Sequence, residues 1–216
     1  PRHVEIQVAA DDHGNAVHFF ERDCSMQRRN QKIIEEAPAF DIPQEKLDEI
    51  RKIAVNTCKK LDYKGLGTFE FLYEDGNFYF IEMNTRLQVE HTITEMITGI
   101  DLVKLQIMIA AGQEIPLSQD DINCRGHAIE CRINAEHHET FIPSPGKVTE
   151  FHPPGGFRIR TDSHLYSGYT VPQYYDALIA KICAHSSDRI SAIRKMRVAL
   201  EELSLIHISE PTRQLA

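Results

Sequence analysis

Two acids, an amide and an arginine lie close together in the stretch Phe78–His91, FYFIEMNTRLQVEH. They are Glu82, Asn84, Arg86 and Glu90. The stretch has the pattern of a strand that runs into a loop and then into a helix. Such a density of oxygen ligands and charge after an apolar strand is difficult to explain as packing. It predicts a magnesium–nucleotide site joined to an acid–base site.

An upstream strand pattern, GTFEFLYE, adds Glu70 to this set. Mg²⁺ usually binds through one or two carboxylates together with substrate phosphates, so Glu70, Glu82 and Asn84 form a suitable ligand set. The alternative is a pair of half-exposed strand acids, which is the commoner case for two acids alone. Each glutamate lies between two apolar residues and therefore points away from the core. With Asn84 and Arg86 close by, this alternation favours a site.

Whether Glu70 and Glu82 can share a metal depends on the turn between their strands, residues 75–77 (DGN). A two-residue type I′ turn on Asp75-Gly76 would pair Glu74 with Asn77 and put the two acids on opposite faces of the hairpin. A three-residue loop, with Gly76 at the positive-φ position of a bulge, puts them on one face. Because a shared metal requires one face, we predict the three-residue loop.

Four further features carry charge suited to substrate binding. Arg86 has a forked guanidinium that suits a planar oxyanion such as carboxylate or bicarbonate. Glu90 lies near a helix start, where it can either cap the helix dipole or act as a general base. Arg132 can stabilise an enolate-like oxyanion or form a surface ion pair. The basic segment 27–32, QRRNQK, is about equally suited to a solvated loop and to a loop that faces phosphate.

Hydrophobic periodicity and turn residues predict the elements that position these side chains. A Pro-containing and polar stretch, residues 113–124, is the candidate domain boundary. Strands are predicted at 4–8, 16–22, 68–74, 78–84, 127–134, 157–162 and 178–184, with a short strand within 143–156. Helices are predicted at 43–61, at 90–112 with a break at Gly99 and a cap at Asp101, and at 187–203.

The composition excludes several classes of protein. The chain has 216 residues, of which 42% are hydrophobic and 26% charged, as in soluble globular proteins. A net charge of −8 argues weakly against a nucleic-acid partner. Five scattered cysteines without a CxxC pair favour a reducing compartment. No apolar run approaches the roughly 18 residues of a membrane helix, and no signal peptide is recognisable. We expect a cytoplasmic protein with no nucleic-acid and no membrane partner.

Several strings resemble signatures of the biotin carboxylase component of acetyl-CoA carboxylase, an ATP-grasp family. They include PRHVEIQ, ERDCSMQRRNQKIIEEAP, FYFIEMNTRLQVEH, GHAIECRINAE and GYTVPQYYD, and the likeness extends from residue 1 to about 203. It implies an α+β fold. Residues 1–122 would form the C-terminal part of the ATP-grasp domain, a mostly antiparallel sheet with helices, and 123–203 the biotin carboxylase C-terminal domain. Residues 204–216 look like translated adapter or vector sequence, and we expect a foreign, disordered end.

The resemblance implies an ATP-dependent carbon–nitrogen ligase. Its reaction would be the carboxylation of carrier-bound biotin by bicarbonate through carboxyphosphate, with ATP and Mg²⁺ or Mn²⁺. This would be the first step of acetyl-CoA carboxylation to malonyl-CoA in fatty acid synthesis. The partners would be a biotin carboxyl carrier protein and a carboxyltransferase, with a homodimer at full length. The alternatives are the same half-reaction in a propionyl-CoA, methylcrotonyl-CoA or pyruvate carboxylase, or an inactive scaffold or dimerisation fragment.

The same resemblance implies a role for each matching residue. Nucleotide binding would fall to His3, Gln27, Asn30, Glu70 and Glu82, and metal binding to Glu70, Glu82 and Asn84. Bicarbonate would bind to Arg86, Gln88 and Val89. The catalytic residues would be Arg86, Lys32 near the transferred groups, Glu90 as the base, and Arg132 at the biotin enolate.

The chain departs from the family pattern at single positions and in its extent. Asn30 stands where many members carry His, and we expect a modest effect because an amide still hydrogen-bonds a ribose. Thr92 stands where Pro is usual, which should soften the helix start. The chain has no initiator Met, so we expect a fragment of something longer. The family's first domain and ATP-covering lid would precede His3, and we expect little or no turnover from the chain alone.

Overall fold

The computed structural model describes the backbone of residues 1–209 and the side chains of residues 1–205. Its strands are β1 Arg2–Ala10, β2 Ala16–Arg28, β3 Gln31–Ala37, β4 Gly65–Glu74, β5 Asn77–Asn84, β6 His127–Asn134, β7 Gly146–His152, β8 Ile159–Ser163, β9 Thr170–Val171, β10 Leu178–Ser186 and β11 Ser204–Ser209. Its helices are α1 Gln44–Lys60, α2 His91–Thr98, α3 Leu102–Ala110 and α4 Arg189–Glu202, with a 3₁₀ turn at Gln119–Asp121.

An eight-stranded antiparallel sheet dominates the fold, in the order β5-β4-β1-β2-β3-β6-β10-β8. A smaller sheet has the order β11-β7-β9. Antiparallel pairing throughout the large sheet, with helices packed on it, confirms the predicted α+β class. Among the described residues, no helix combines the length and the hydropathy that a membrane crossing requires.

Helices cover both faces of the central strand β1, and every residue from Val4 to Ala10 is buried. One face packs against α1 through residues that include Ile50 and Ala54. The other face packs against α3 through residues that include Leu105 and Ile109. Burying one such aliphatic side chain contributes about 1.5–3 kcal/mol, so these contacts fix β1 firmly at the centre of the sheet.

The predicted helices are present, and local signals set their ends. Pro43 precedes the first turn of α1. Gly99, with a φ of 74°, ends α2 in the left-handed region. The Asp101 carboxylate caps α3 by accepting a hydrogen bond from the Lys104 amide at 2.7 Å. The break at Gly99 and the Asp101 cap are therefore confirmed.

The basic segment 27–32 is not a loop. Strand β2 continues to Arg28 and turns back through Arg29 and Asn30, whose φ angles are 50° and 65°. Strand β3 starts at Gln31 and pairs with β2 on one side and β6 on the other. Within the segment, Gln27 pairs with Lys32 and Arg28 pairs with Gln31, so its polar residues form the tip of a β-hairpin. The positive φ angles of Arg29 and Asn30 are those of a two-residue type I′ turn.

The predicted three-residue hairpin loop is wrong. Glu74 pairs with Asn77, so the turn has two residues, and positive φ angles at Asp75 (49°) and Gly76 (78°) match a type I′ turn. The required bulge lies instead in strand β5 between residues 80 and 82, where the register shifts by one residue. This extra residue puts Glu82 directly opposite Glu70. The two acids therefore share a face, as a common metal requires.

The prediction of a disordered end is wrong for Ser204–Ser209, which pairs with β7. Residues 210–216 lie outside the described part of the chain, and the foreign origin of 204–216 stays a prediction. The division at 122/123 also stays a prediction. The β3–β6 ladder, from Ile34 opposite Cys131 to Ala37 opposite Ala128, joins the segments on its two sides into one sheet.

Candidate active site

One cleft of about 520 Å³ collects the twelve residues singled out from the sequence. They are His3, Gln27, Asn30, Lys32, Glu70, Glu82, Asn84, Arg86, Gln88, Val89, Glu90 and Arg132. Three residues not predicted, Gln31, Leu72 and Asp176, also line it. Strands β1 to β6, the turn between β2 and β3, and the segment 85–90 supply all of these residues except Asp176.

The candidate metal ligands converge at one end of the cleft. The Asn84 amide nitrogen lies 2.9 Å from Glu70 Oε1 and 3.1 Å from Glu82 Oε1. Burial would raise the pKa of Glu70, but hydrogen bonds from His3 and the charge of Lys32 lower it to about 2. Glu70 is therefore ionised at neutral pH. In this structure the Asn84 NH₂ group donates to the two acids and its oxygen accepts from Arg86. The two carboxylates fit the hard-oxygen ligand set of Mg²⁺, and Asn84 would join it with its oxygen turned toward the ion.

His3 lies beside this set, with its Nε2 atom 3.0 Å from Glu70 Oε2 and 3.2 Å from Glu5 Oε1. Burial lowers the pKa of His3, but the hydrogen bonds to the two carboxylates outweigh it and raise the pKa to about 9. His3 is therefore a cation at neutral pH, which suits the neighbourhood of a polyanionic nucleotide.

Lys32 lies between the metal ligands and the candidate base. Its ammonium group lies 3.1 Å from Glu70 Oε1 and 2.8 Å from Glu90 Oε1, and it also contacts Glu5. Burial opposes the charge, but Glu5 and Glu90 keep the Lys32 pKa above its ordinary value. Lys32 is thus a fixed cation in the middle of the cleft.

Glu90 does not cap α2, because its side chain makes no capping hydrogen bond. It is 2% exposed, and its second oxygen accepts a hydrogen bond from an Nη atom of Arg132 at 2.9 Å. Burial would raise the pKa of Glu90, but the charges of Arg22, Lys32 and Arg132 lower it. Glu90 is therefore ionised. It becomes a stronger base when one of its cations turns toward a bound anion.

Arg132 is not a surface ion pair. Its Nε atom donates to Glu35 at 2.6 Å while an Nη atom reaches Glu90, and both acids are buried. Within the described part of the chain, Arg86 in contrast makes only long hydrogen bonds, 3.2 Å to the Asn84 oxygen and 3.4 Å to a carbonyl. One guanidinium is fixed, and the other is free to turn toward a ligand.

Hydrogen bonds to other side chains hold the segment that follows β5 in place. The Gln88 amide donates to Glu70 at 2.6 Å and accepts from Arg22 at 3.0 Å. The Val89 carbonyl accepts from Lys181 at 2.5 Å. Gln88 and Val89 are therefore held in place in the lining of the cleft beside Arg86.

Sequence reasoning missed the supporting layer beneath the cleft. Arg22 is fully buried and donates to Glu5 at 3.1 Å, to Gln7 at 2.7 Å and to Thr94 at 3.0 Å. The polar residues of β1 alternate like a solvent-facing row. Strand pairing is the signal that could have identified the polar residues of β1 as part of the site. Glu5 lies directly opposite Glu70 of β4, which is a candidate metal ligand.

Two families match the chain. Residues 1–118 match the family described as "Carbamoyl-phosphate synthase L chain, ATP binding domain". Residues 130–214 match the "Biotin carboxylase C-terminal domain". Together they span both sides of the β3–β6 ladder.

Curated relatives agree with these matches. The biotin carboxylase of Allochromatium vinosum is 61% identical over 202 residues, which are 94% of this chain and 45% of the relative. A pyruvate carboxylase component from Methanothermobacter thermautotrophicus is 50% identical over 209 residues, which are 96% of this chain and 43% of the relative. The chain thus spans a little under half the length of these relatives.

Solved structures give the same answer. A complex of Campylobacter jejuni biotin carboxylase with β,γ-ATP aligns with a TM-score of 0.93 at 50% identity, over 97% of this chain and 47% of that one. The biotin carboxylase domain dimer of Hydrogenobacter thermophilus 2-oxoglutarate carboxylase, with MgADP, ADP and bicarbonate, aligns with a TM-score of 0.93 at 47% identity, over 95% and 46%. With the antiparallel sheet and the cleft described above, these matches show that the chain belongs to the biotin carboxylase family, in which it carries the ATP-grasp segment and the C-terminal domain.

Proposed function

We propose that the chain forms the metal, bicarbonate and biotin side of a biotin carboxylase active site. In the complete protein, this site carboxylates carrier-bound biotin with bicarbonate at the expense of ATP. The observation that carries the proposal is the link from Glu70 through Lys32 and Glu90 to Arg132 within one cleft. This link joins a metal-binding end to a base and an oxyanion-binding cation.

At the metal-binding end, Glu70, Glu82 and Asn84 would hold Mg²⁺ or Mn²⁺. The ion would supply neutralisation of phosphate charge when bound. His3, Gln27 and Asn30 line the same cleft and would contact the nucleotide. Lys32 would hold its positive charge near the transferred phosphoryl group.

At the other end, Arg86 would clamp bicarbonate through its fork, together with Gln88 and the backbone at Val89. Glu90, already ionised, would take the bicarbonate proton. Arg132 would then stabilise the negative charge that develops on the ureido oxygen of biotin. Because Arg132 donates to Glu35 through Nε, the Nη end of its guanidinium is left to face the cleft.

The partners and the pathway follow from the family rather than from the cleft. The proposal includes a biotin carboxyl carrier protein, a carboxyltransferase, a homodimer at full length, and a cytoplasmic location. The preferred final acceptor is acetyl-CoA, in fatty acid synthesis. The similarity to a pyruvate carboxylase component supports pyruvate as the second candidate.

The test is biotin-dependent phosphate release from MgATP and bicarbonate by the full gene product, with free biotin in place of the carrier. We expect Arg132→Gln to lower the biotin-dependent rate by roughly 100-fold. Arg189→Gln is the control, since Arg189 pairs with Glu36 outside the cleft, and it should keep the parental rate. No biotin-dependent release by the parent would refute the proposal.

Two further measurements separate the alternatives. Adding purified carboxyltransferase with acetyl-CoA or with pyruvate identifies the acceptor by the product formed. Calorimetry with MgATP, on the chain alone and on the full gene product, tests the scaffold alternative. Failure of both to bind nucleotide would favour the scaffold.

A further inference from the structure

Two fully buried glutamates face each other behind the cleft. Glu35 of β3 and Glu130 of β6 are directly opposite in the ladder, so their side chains share one face of the sheet. Both are 0% exposed. Two like charges at this spacing, removed from water, are strongly unfavourable.

The hydrogen bonds of this pair are incomplete. Glu35 Oε1 accepts from Arg132 Nε at 2.6 Å, and Glu35 Oε2 has no partner. Glu130 Oε2 accepts from the Thr92 hydroxyl and, at 3.4 Å, from the Cys183 thiol, while Glu130 Oε1 has no partner. Within residues 1–205, two of the five buried side-chain atoms without a partner therefore belong to this pair.

The surrounding charges do not neutralise two carboxylates. Arg132 is shared with a third acid, Glu90, whose charge also acts on both glutamates. Burial raises the pKa of Glu130, and the positive charge of Lys181 lowers it without outweighing burial. Burial first, and then the neighbouring acids, raise the pKa of Glu35, and burial with the charge of Glu90 raises that of Glu130. One added proton removes the repulsion and supplies a donor to the pair.

We propose that Glu35 and Glu130 share one proton at neutral pH, and that Glu35 is the positioning residue that holds Arg132 toward the cleft. Glu35 binds the guanidinium from behind through Nε, which leaves Nη2 to reach Glu90. Loss of the shared proton to solvent adds a second negative charge behind Arg132 and draws the guanidinium away from the cleft. The role of Arg132 in turnover rests on the proposed function, but the proton site does not.

Infrared difference spectroscopy during a pH titration of the full gene product tests the proton. We expect the carbonyl band of a buried carboxylic acid at neutral pH, and its loss at alkaline pH. Glu130→Gln keeps the shape and supplies an amide donor, so it should abolish the band. Glu136→Gln is the control, because Glu136 pairs with Arg28 and lies outside the Glu35–Glu130 pair. A parent without the band, or a band that survives in Glu130→Gln, would overturn the proton site.

Solvent exchange of the Arg132 Nε–H, followed by nitrogen NMR, tests the positioning without any need for activity. We expect slow exchange in the parent and faster exchange in Glu35→Gln. In the activity assay, Glu35→Gln should lower the biotin-dependent kcat by about tenfold at an unchanged KM for MgATP. Glu130→Gln should move the alkaline limb of the pH profile to higher pH.

These outcomes separate the two ideas. Unchanged exchange in Glu35→Gln overturns the positioning even if the infrared band behaves as expected. An inactive parent refutes the proposed function, while the exchange and infrared results still decide the proton site and the hold on Arg132.

Discussion

Arg22→Met should destabilise the protein strongly, because it removes a fully buried cation from beneath the cleft. Arg22 is 0% exposed, and its guanidinium donates to Glu5, Gln7, Gln88 and other groups at 2.7–3.3 Å. Breaking a buried ion pair from one side costs about 3–5 kcal/mol, since the partner carboxylate stays buried. Lys32 still contacts Glu5, so we expect about 4 kcal/mol rather than more.

The control is Arg160→Met. Arg160 holds two carboxylates, Glu95 at 2.6 Å and Asp162 at 2.7 Å, but its side chain is 35% exposed. Exposed pairs contribute about 0–1 kcal/mol, so this variant should lose at most about 1 kcal/mol. Urea unfolding followed by far-ultraviolet circular dichroism measures both, as the chain has no Trp for fluorescence. If the two variants lose equal free energies of unfolding, the ion-pair reasoning is wrong.

Three other changes test separate parts of the structure. Glu82→Gln should weaken Mn²⁺ binding with ADP by at least about tenfold in the full gene product, measured by electron paramagnetic resonance; unchanged binding would remove Glu82 from the ligand set. Gly126→Ala should cost about 3 kcal/mol in urea unfolding, because its Cβ would lie 2.1 Å from the Ser186 carbonyl oxygen at a φ of +69°. Gly14→Ala, at a φ of +85° with open space around it, should cost only about 1 kcal/mol, and equal losses would contradict the clash. Burial and the charge of Arg51 lower the pKa of His18 to about 4. The native state therefore binds fewer protons than the unfolded state between pH 4 and about 6.5, so stability falls as the pH drops through this window, and His18→Gln should flatten that slope in urea unfolding.

Local signals predicted most elements of the fold. The cap at Asp101 and the break at Gly99 depend on residues within one turn of the helix end, so the sequence pattern was sufficient. The hairpin shows the limit of such signals. The Asp75-Gly76 pair forms the turn that its chemistry favours, and the face of Glu82 is set by an extra residue farther along β5. A bulge has no local sequence signature of comparable strength.

The site residues could be predicted as a set, but their supports could not. Hard-oxygen ligands and cations indicated chemistry in and near one stretch, and the family resemblance added the remaining residues. The cleft brings the whole set together, while the role of each residue stays a prediction. Glu5 and Arg22 belong to strands that were predicted from periodicity alone, and only the order of strands in the sheet shows that their polar side chains are covered. Glu35 was hidden for the same reason, because its neighbour Glu130 is far away in the chain but adjacent across the ladder.

The β3–β6 ladder has a mechanical consequence. It joins the two family segments through backbone pairing, with Lys32 and Glu35 on β3 and Arg132 on β6. Separating the two segments along this ladder would break main-chain hydrogen bonds. This half of the site is therefore rigid, and any part that closes over the cleft must move against it. After protease cleavage between residues 113 and 124, the two fragments should stay associated. The two halves, produced separately, are candidates for reassembly by fragment complementation.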